Sequence, residues 1–295
     1  MRKSTTDKVV FSVIGYAIVL ITTILCLIPF ILVISGSFTK EEYIIKQGYS
    51  LIPKSFSLDA YKNVFAQPKE LIQAYFVTAS VTAIGAIIGL FITAMTGYVL
   101  SRKDFEWRNK FAFFFYFTTI FSGGIVPWYI LCVKYLKFSD HFYGLLLPGL
   151  LNVFYLIVMK SFMSSIPDAI SESATIDGAN DFTIFVKLIL PLSKPALATI
   201  GLFIALGYWN DWFTSFMFMQ DKKLFSLQYY LYKIIAGQQA LQALGVGVPG
   251  KDSSVLPTES LKLAMTVIAT GPIILLYPFV QRYFVSGLTI GAVKG

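Results

Sequence analysis

Long apolar runs alternate with polar connections along this chain. Six runs stand out, at about Phe11 to Ile34, Ile72 to Leu100, Lys110 to Val133, Tyr143 to Phe162, Pro195 to Met219 and Leu261 to Phe284. Each holds about the ~20 residues that an α-helix needs to cross a bilayer. A helix satisfies its own backbone groups away from water, so every run is predicted to be one. The pattern predicts an all-α membrane protein, a single domain over residues 1–295 with six transmembrane helices. An even number of spans puts both ends on one side. The basic start (Arg2, Lys3, Lys8) before the first run resembles a signal peptide. That run is longer than a signal's roughly 7–15 apolar residues and lacks a small-residue cleavage site, so it reads as an uncleaved helix.

Composition agrees with this picture. Hydrophobic residues make up 56% of the 295 and charged residues 14%, and mean hydropathy is +0.69. Soluble domains carry about 25% charge. The excess apolar surface must face lipid. The net charge of +8 lies in the connections between runs. It therefore reads as topology and contact with anionic lipid headgroups, and not as a nucleic-acid footprint. Lysines divide almost evenly between the two sides. The arginines (Arg2, Arg102, Arg108, Arg282) all fall at run ends that share a side, and the short connection Ser101–Lys110 is strongly basic. Short basic loops stay in the cytoplasm, so both termini are predicted there. Cys26 and Cys132 sit inside apolar runs and His141 stands alone as an interfacial residue, which argues against a disulfide, a metal site or an acid–base active site.

Two outer connections are long, Gly36 to Lys69 and Gln220 to Ser260. Loops of that length either serve function, here as a docking surface for an external partner, or connect flexibly. The second contains Gly245-Val-Gly-Val-Pro-Gly250-Lys251, most of a P-loop. Asp252 stands where a magnesium-binding hydroxyl is required, and no strand precedes the run. The run therefore does not cradle a nucleotide. If ATP drives this protein, a separate subunit must hold it.

The polar stretch Ser164 to Lys194, between the fourth and fifth runs, carries the most information. Pro167 and Asp168 suit the first turn of a helix. Ala169, Ser173 and Ile176 recur at helical spacing, as do Ile170 and Ala174, which gives a small, partly apolar face. Gly178 can take positive φ and end the helix. Asn180 or Asp181 can cap a second helix carrying Phe182, Phe185, Val186 and Ile189, which Pro191 is expected to stop. The prediction is a short helical hairpin at the cytoplasmic face, with small side chains that let a partner come close.

The stretch resembles the EAA loop of ABC importer permeases. Glu172, Ala174, Asp177, Gly178, Ala179, Phe185, Ile189, Leu190, Pro191 and Pro195 fit its pattern, and Ser173 replaces an alanine. Gly207-Tyr-Trp209-Asn210-Asp211-Trp212-Phe213 and the tail Tyr277 to Gly295 are similar to the MalG-like carbohydrate permeases, as is Pro53 to Tyr61. The resemblance implies a type I ABC importer permease with a coupling helix between spans 4 and 5. Glu172, Ser173, Ala174, Asp177, Gly178, Ala179, Phe182, Leu190 and Pro191 would seat against an ATPase. It also implies two ATPase subunits holding Mg-ATP, a second homologous permease and an extracytoplasmic solute-binding protein, with no cofactor on this chain.

Trp209, Asn210, Asp211 and Trp212 are read as lining the substrate pathway. Asn210 and Asp211 are polar groups inside an apolar run, where such groups usually face a cavity or a partner, and aromatic faces suit sugars. The alternative is an interfacial aromatic belt. Ser122-Gly123-Gly124 and Pro127 interrupt the third run, and close packing with a kink is favoured there over an unwound binding stretch. Gly85, Gly89, Ala94 and Gly97 give the second span a packing face. An ion-coupled secondary transporter would normally carry buried ionisable groups on several spans, whereas here Asp211 is the clearest one.

Overall fold

The computed structural model describes residues 5–243 and 258–292. Among these residues the regular structure is helical, with one isolated antiparallel bridge between Thr39 and Phe56. In chain order the helices are α1 (Thr5–Ser37), α2 (Glu41–Gln47), α3 (Asp59–Val64), α4 (Pro68–Ser101), α5 (Arg108–Ile120), α6 (Ile125–Tyr135) and α7 (Phe142–Gly149). They continue as α8 (Val153–Met163), α9 (Asp168–Ile176), α10 (Asp181–Leu192), α11 (Lys194–Trp209), α12 (Phe213–Phe218), α13 (Leu227–Ala243) and α14 (Glu259–Ala292). The Gly245–Lys251 run and the last residues of the C-terminal motif lie outside the described residues.

The first two predicted spans are continuous helices within α1 and α4, and the sixth falls within α14. The third and fourth are each built from two helices, α5 and α6 meeting at 111° and α7 and α8 at 48°, and the fifth follows an 84° bend between α10 and α11. The first two breaks have chemical causes. Gly124 adopts φ +88°, a region that favours glycine, and its amide bonds to Ser122 Oγ. A Cβ at Gly123 or Gly124 would meet nothing within 4 Å, so the described residues show the expected kink but no close packing of these glycines within the chain. Between α7 and α8, Pro148 withholds an amide and Asn152 caps α8 through Oδ1.

The fifth predicted span, Pro195 to Met219, ends early at Trp209. Asn210 Nδ2 donates to the Leu206 carbonyl, and Asp211 Oδ1 accepts from the Thr214 amide. Short polar side chains compete with the helical ladder in this way. Asn210 and Asp211 therefore sit at a helix end, and not in mid-span as the hydropathy suggested. The two long connections also carry structure, α2 and α3 in the first and the 17-residue α13 in the second.

The chain divides into two units, residues 1–68 with 233–272, and 69–232 with 273–295. In the first, the buried Glu41 carboxylate accepts from the Glu259 amide (2.8 Å), the Ser260 amide (2.8 Å) and Ser260 Oγ (2.7 Å). It thereby satisfies orphan donors at the start of α14. Phe38 stacks between Phe56 and Tyr61, and a Cβ at Gly36 would overlap Leu263.

In the second unit α4 is the packing spine. The predicted small-residue face is used as expected. A Cβ at Gly89 would stand 2.9 Å from the Leu150 carbonyl oxygen, one at Gly97 2.9 Å from Met159 Cγ, and one at Gly85 inside the Tyr208 ring. Ala94 is fully buried.

Candidate functional site

The predicted hairpin forms α9 and α10. Gly178 has φ +85°. Its amide donates to the Thr175 carbonyl (3.0 Å), and the Ala179 amide donates to the Ala174 carbonyl (2.9 Å). These are the paired bonds of a Schellman termination, with Gly178 in the left-handed position. The motif thus has a local physical meaning. Gly178 makes the turn, and Ala174 and Ala179 are the small residues at the two ends of its longer bond. Asn180 then opens α10 by accepting from the Thr183 amide at 2.8 Å. Two caps within three residues fold the chain back on itself.

Hydroxyls that would otherwise seek partners are satisfied within α9. Ser173 Oγ donates to the Ala169 carbonyl and Thr175 Oγ1 to that of Ser171. Glu172, Ser173, Asp177, Gly178, Phe182 and Pro191 are exposed, while Ala174, Ala179 and Leu190 are half-buried. Ile176 is 86% exposed and Phe182 61%. The buried side of α10 carries Ile184, Phe185 and Ile189, and Phe185 stacks on Tyr98 with ring centres 5.3 Å apart. α10 ends at Leu192, one residue past Pro191 and close to the expected stop, after a π turn over Phe185–Ile189.

Sequence reasoning missed how the hairpin is held. From sequence alone the basic connection after α4 reads as a topology signal only. Arg102 binds both Asp104 and Asp181, and Lys103 binds Asp168. The Arg102 guanidinium holds the Asp104 carboxyl below the usual carboxylate range. The available signal was opposite charge on two connections predicted to share a side.

At the far end of α11 a cleft of about 220 Å³ opens, lined among others by Asn152, Tyr155, Phe203, Gly207, Tyr208 and Asp211. Tyr208 donates to the Leu146 carbonyl at 2.7 Å. Of the four residues proposed for the pathway, Asp211 lines this cleft. Trp209 is buried and tilted against Tyr75 (6.4 Å), Asn210 is exposed, and Trp212 stacks on Tyr232 (5.1 Å). Asn152, Tyr155 and Tyr208 were not singled out from sequence. They lie on α7–α8 and α11, and only the packing of those helices brings them together.

Broken helical spans, a doubly capped hairpin at one end and a small polar–aromatic cleft at the other define a membrane permease. The chain belongs to the family described as binding-protein-dependent transport system inner membrane component, which matches residues 85–290. It is 38% identical to the polygalacturonan/rhamnogalacturonan transport system permease protein YtcP of Bacillus subtilis (strain 168), over 97% of this chain and 98% of that one. It is 27% identical to the trehalose/maltose transport system permease protein MalG of Thermococcus litoralis, over 94% of each. Among solved structures it matches a bacterial ABC transporter involved in import of the acidic polysaccharide alginate, with TM-score 0.76, 29% identity and coverage of 96% and 99%. The chain is thus a type I ABC importer permease of the inner membrane and not itself an enzyme. It works with an ATPase, a partner permease and a binding protein.

Proposed function

We propose that this chain forms one half of the pathway by which sugars or oligosaccharides enter the cell. The observation that carries the reading is the exposed hairpin Asp168–Leu192, folded by Gly178 and Asn180 so that small side chains and two bare apolar ones, Ile176 and Phe182, face outward. A protruding element with exposed apolar tips on a rigid, capped turn is suited to a partner's cleft. That partner is the ATPase, present as two subunits that hold Mg-ATP. This chain itself binds no cofactor. Both termini lie in the cytoplasm, with the hairpin.

The cleft beside Tyr208 takes one sugar ring. Tyr155, Phe203 and Tyr208 offer aromatic faces, and Asn152 and Asp211 offer polar atoms at the rim. Its volume is below the ~300–1,000 Å³ of a complete ligand pocket, as suits a half-site whose other wall a second, homologous permease supplies. An extracytoplasmic binding protein delivers the sugar. Closure of the ATPases moves the hairpins, and the halves rock about the cleft. The sugar relatives support the substrate class.

Affinity purification in mild detergent tests the assembly. The tagged chain is expected to bring down an ATPase and a second permease, and their absence would overturn the reading. Gly178→Arg places a bulky cation at a left-handed position that costs most residues ~1–2 kcal/mol. It is expected to lose the ATPase and uptake while still inserting in the membrane. Normal uptake with the ATPase bound would remove the hairpin from the mechanism.

A further inference from the structure

We propose that Arg102 is the positioning residue that locks the coupling hairpin to α4, so that movement of α9–α10 reaches the cleft instead of being lost at the joint between α10 and α11. The proposal rests on the reading of the hairpin as the ATPase-coupling element. Arg102 directly follows α4, and its side chain is only 25% exposed. One nitrogen, Nη1, serves Asp181 and the Tyr98 hydroxyl (3.2 Å), while Nε (2.8 Å) and Nη2 grip Asp104. A guanidinium is planar with five fixed donors, so a single residue can hold two carboxylates and a phenol at set angles. A lysine could not.

The clamp is polar on one turn and apolar on the next. Asp181 and Phe185 are four residues apart and so lie on one face of α10. Asp181 is held by Arg102. Phe185, 1% exposed, is held by Tyr98, which itself bonds Arg102. A helix fixed at two successive points along one side cannot swivel freely about its end.

That end needs fixing, because α10 meets α11 at 84° around Ser193. At the other end of α11, Tyr208 packs on Gly85 of α4. Gly85 and Arg102 are separated by about 25 Å of helix at 1.5 Å per residue. α4, α10 and α11 thus make a frame tied at both ends, with the cleft at one tie and Arg102 at the other. Lys103 and Asp168 form a pair 75% and 50% exposed, and such pairs add little.

Two measurements test this, both with Cys26 and Cys132 replaced by serine. In the full chain alone, nitroxides on Val99 and Val186 report the distance between α4 and α10. Arg102→Ala is expected to broaden that distribution and Lys103→Ala to leave it unchanged. An unchanged distribution in Arg102→Ala overturns the clamp, whether or not an ATPase has been found. In the assembled complex, a fluorophore on Asn210→Cys reports the cleft end while Mg-ATP is added. Arg102→Ala is expected to hydrolyse ATP at a rate within about twofold of the parent while the fluorescence change per ATP falls roughly tenfold. Arg102→Lys is expected to restore only part of it. A full change per ATP in Arg102→Ala overturns transmission through this residue. If Arg102→Ala does not accumulate, Asp181→Asn gives the same test from the exposed side of the bond.

Discussion

Tyr208 occupies a gap that only glycines leave open. Its ring meets Gly85 on one side and Gly149 on the other, where a Cβ would stand 2.9 Å from the ring, and its hydroxyl is fixed on the Leu146 carbonyl. The same ring walls the cleft. Packing and pathway are therefore one constraint at this residue. Gly85→Val forces the ring out of its slot, an overpacking that costs ~1–3 kcal/mol. The expected outcome is a lower melting temperature in detergent together with loss of sugar-dependent uptake, and Gly85→Val with Tyr208→Leu recovers the melting temperature but not the uptake. Recovery of both would mean that Tyr208 only fills space. Sequence showed the glycines as a packing face, because small residues at regular spacing are visible in one dimension. It could not show what packs on them, since Tyr208 lies more than a hundred positions away along the chain.

Helices differ in how much of their form is written locally. The α9–α10 hairpin was legible almost to the residue, because its caps, Pro167, Gly178 and Asn180, act over three or four positions. Pro191 marks the end of α10 to within a residue, whereas the π turn over Phe185–Ile189 before it left no local signal. The breaks in the middle spans were only half legible. Hydropathy averages over a window and passes across Asn210 and Asp211, although their side chains pull the backbone out of the helix. The start of α14 was not legible at all, because its cap comes from Glu41 in another element. There Lys262, by its hydrogen bond, holds the Glu259 carboxyl below its ordinary range, and Tyr49 adds a bond at 3.1 Å. A carboxyl whose folded pKa is depressed contributes fully above its unfolded value, roughly pH 4–5, and loses that contribution as pH falls through the lower folded value. The melting temperature of the parent in detergent, minus that of Glu259→Gln, is thus expected to stay constant from neutral pH to about pH 5 and to shrink below it. A difference that grows on acidification would reverse the sign and reject the tie.

Across the whole molecule, the surface itself requires a membrane. The apolar stretch Val9–Ser37 of α1 has none of its most hydrophobic window buried, and Phe11, Tyr16, Leu20 and Leu25 are each more than half exposed. Water cannot be the solvent for that surface, so lipid or a partner helix must cover it. Which side faces the cell is a separate matter, and the orientation proposed here rests on charge. Arg102 and Arg108 sit on the short connection between α4 and α5, and the ion pair of Arg102 with Asp181 draws that connection onto the hairpin. Short arginine-rich connections remain on the cytoplasmic side because moving them across is disfavoured. On the proposed topology the connection between α12 and α13, where Lys222 is tied to Glu70 at 3.1 Å, belongs to the opposite side. Single cysteines at Glu106 and Lys223, in a background with Cys26 and Cys132 replaced, separate the two. In intact cells an impermeant maleimide is expected to label Lys223→Cys alone, and in inverted vesicles Glu106→Cys alone. Labelling of Glu106→Cys from outside the cell would put the hairpin beyond the reach of any ATP-hydrolysing partner, and the coupling role would fall with it.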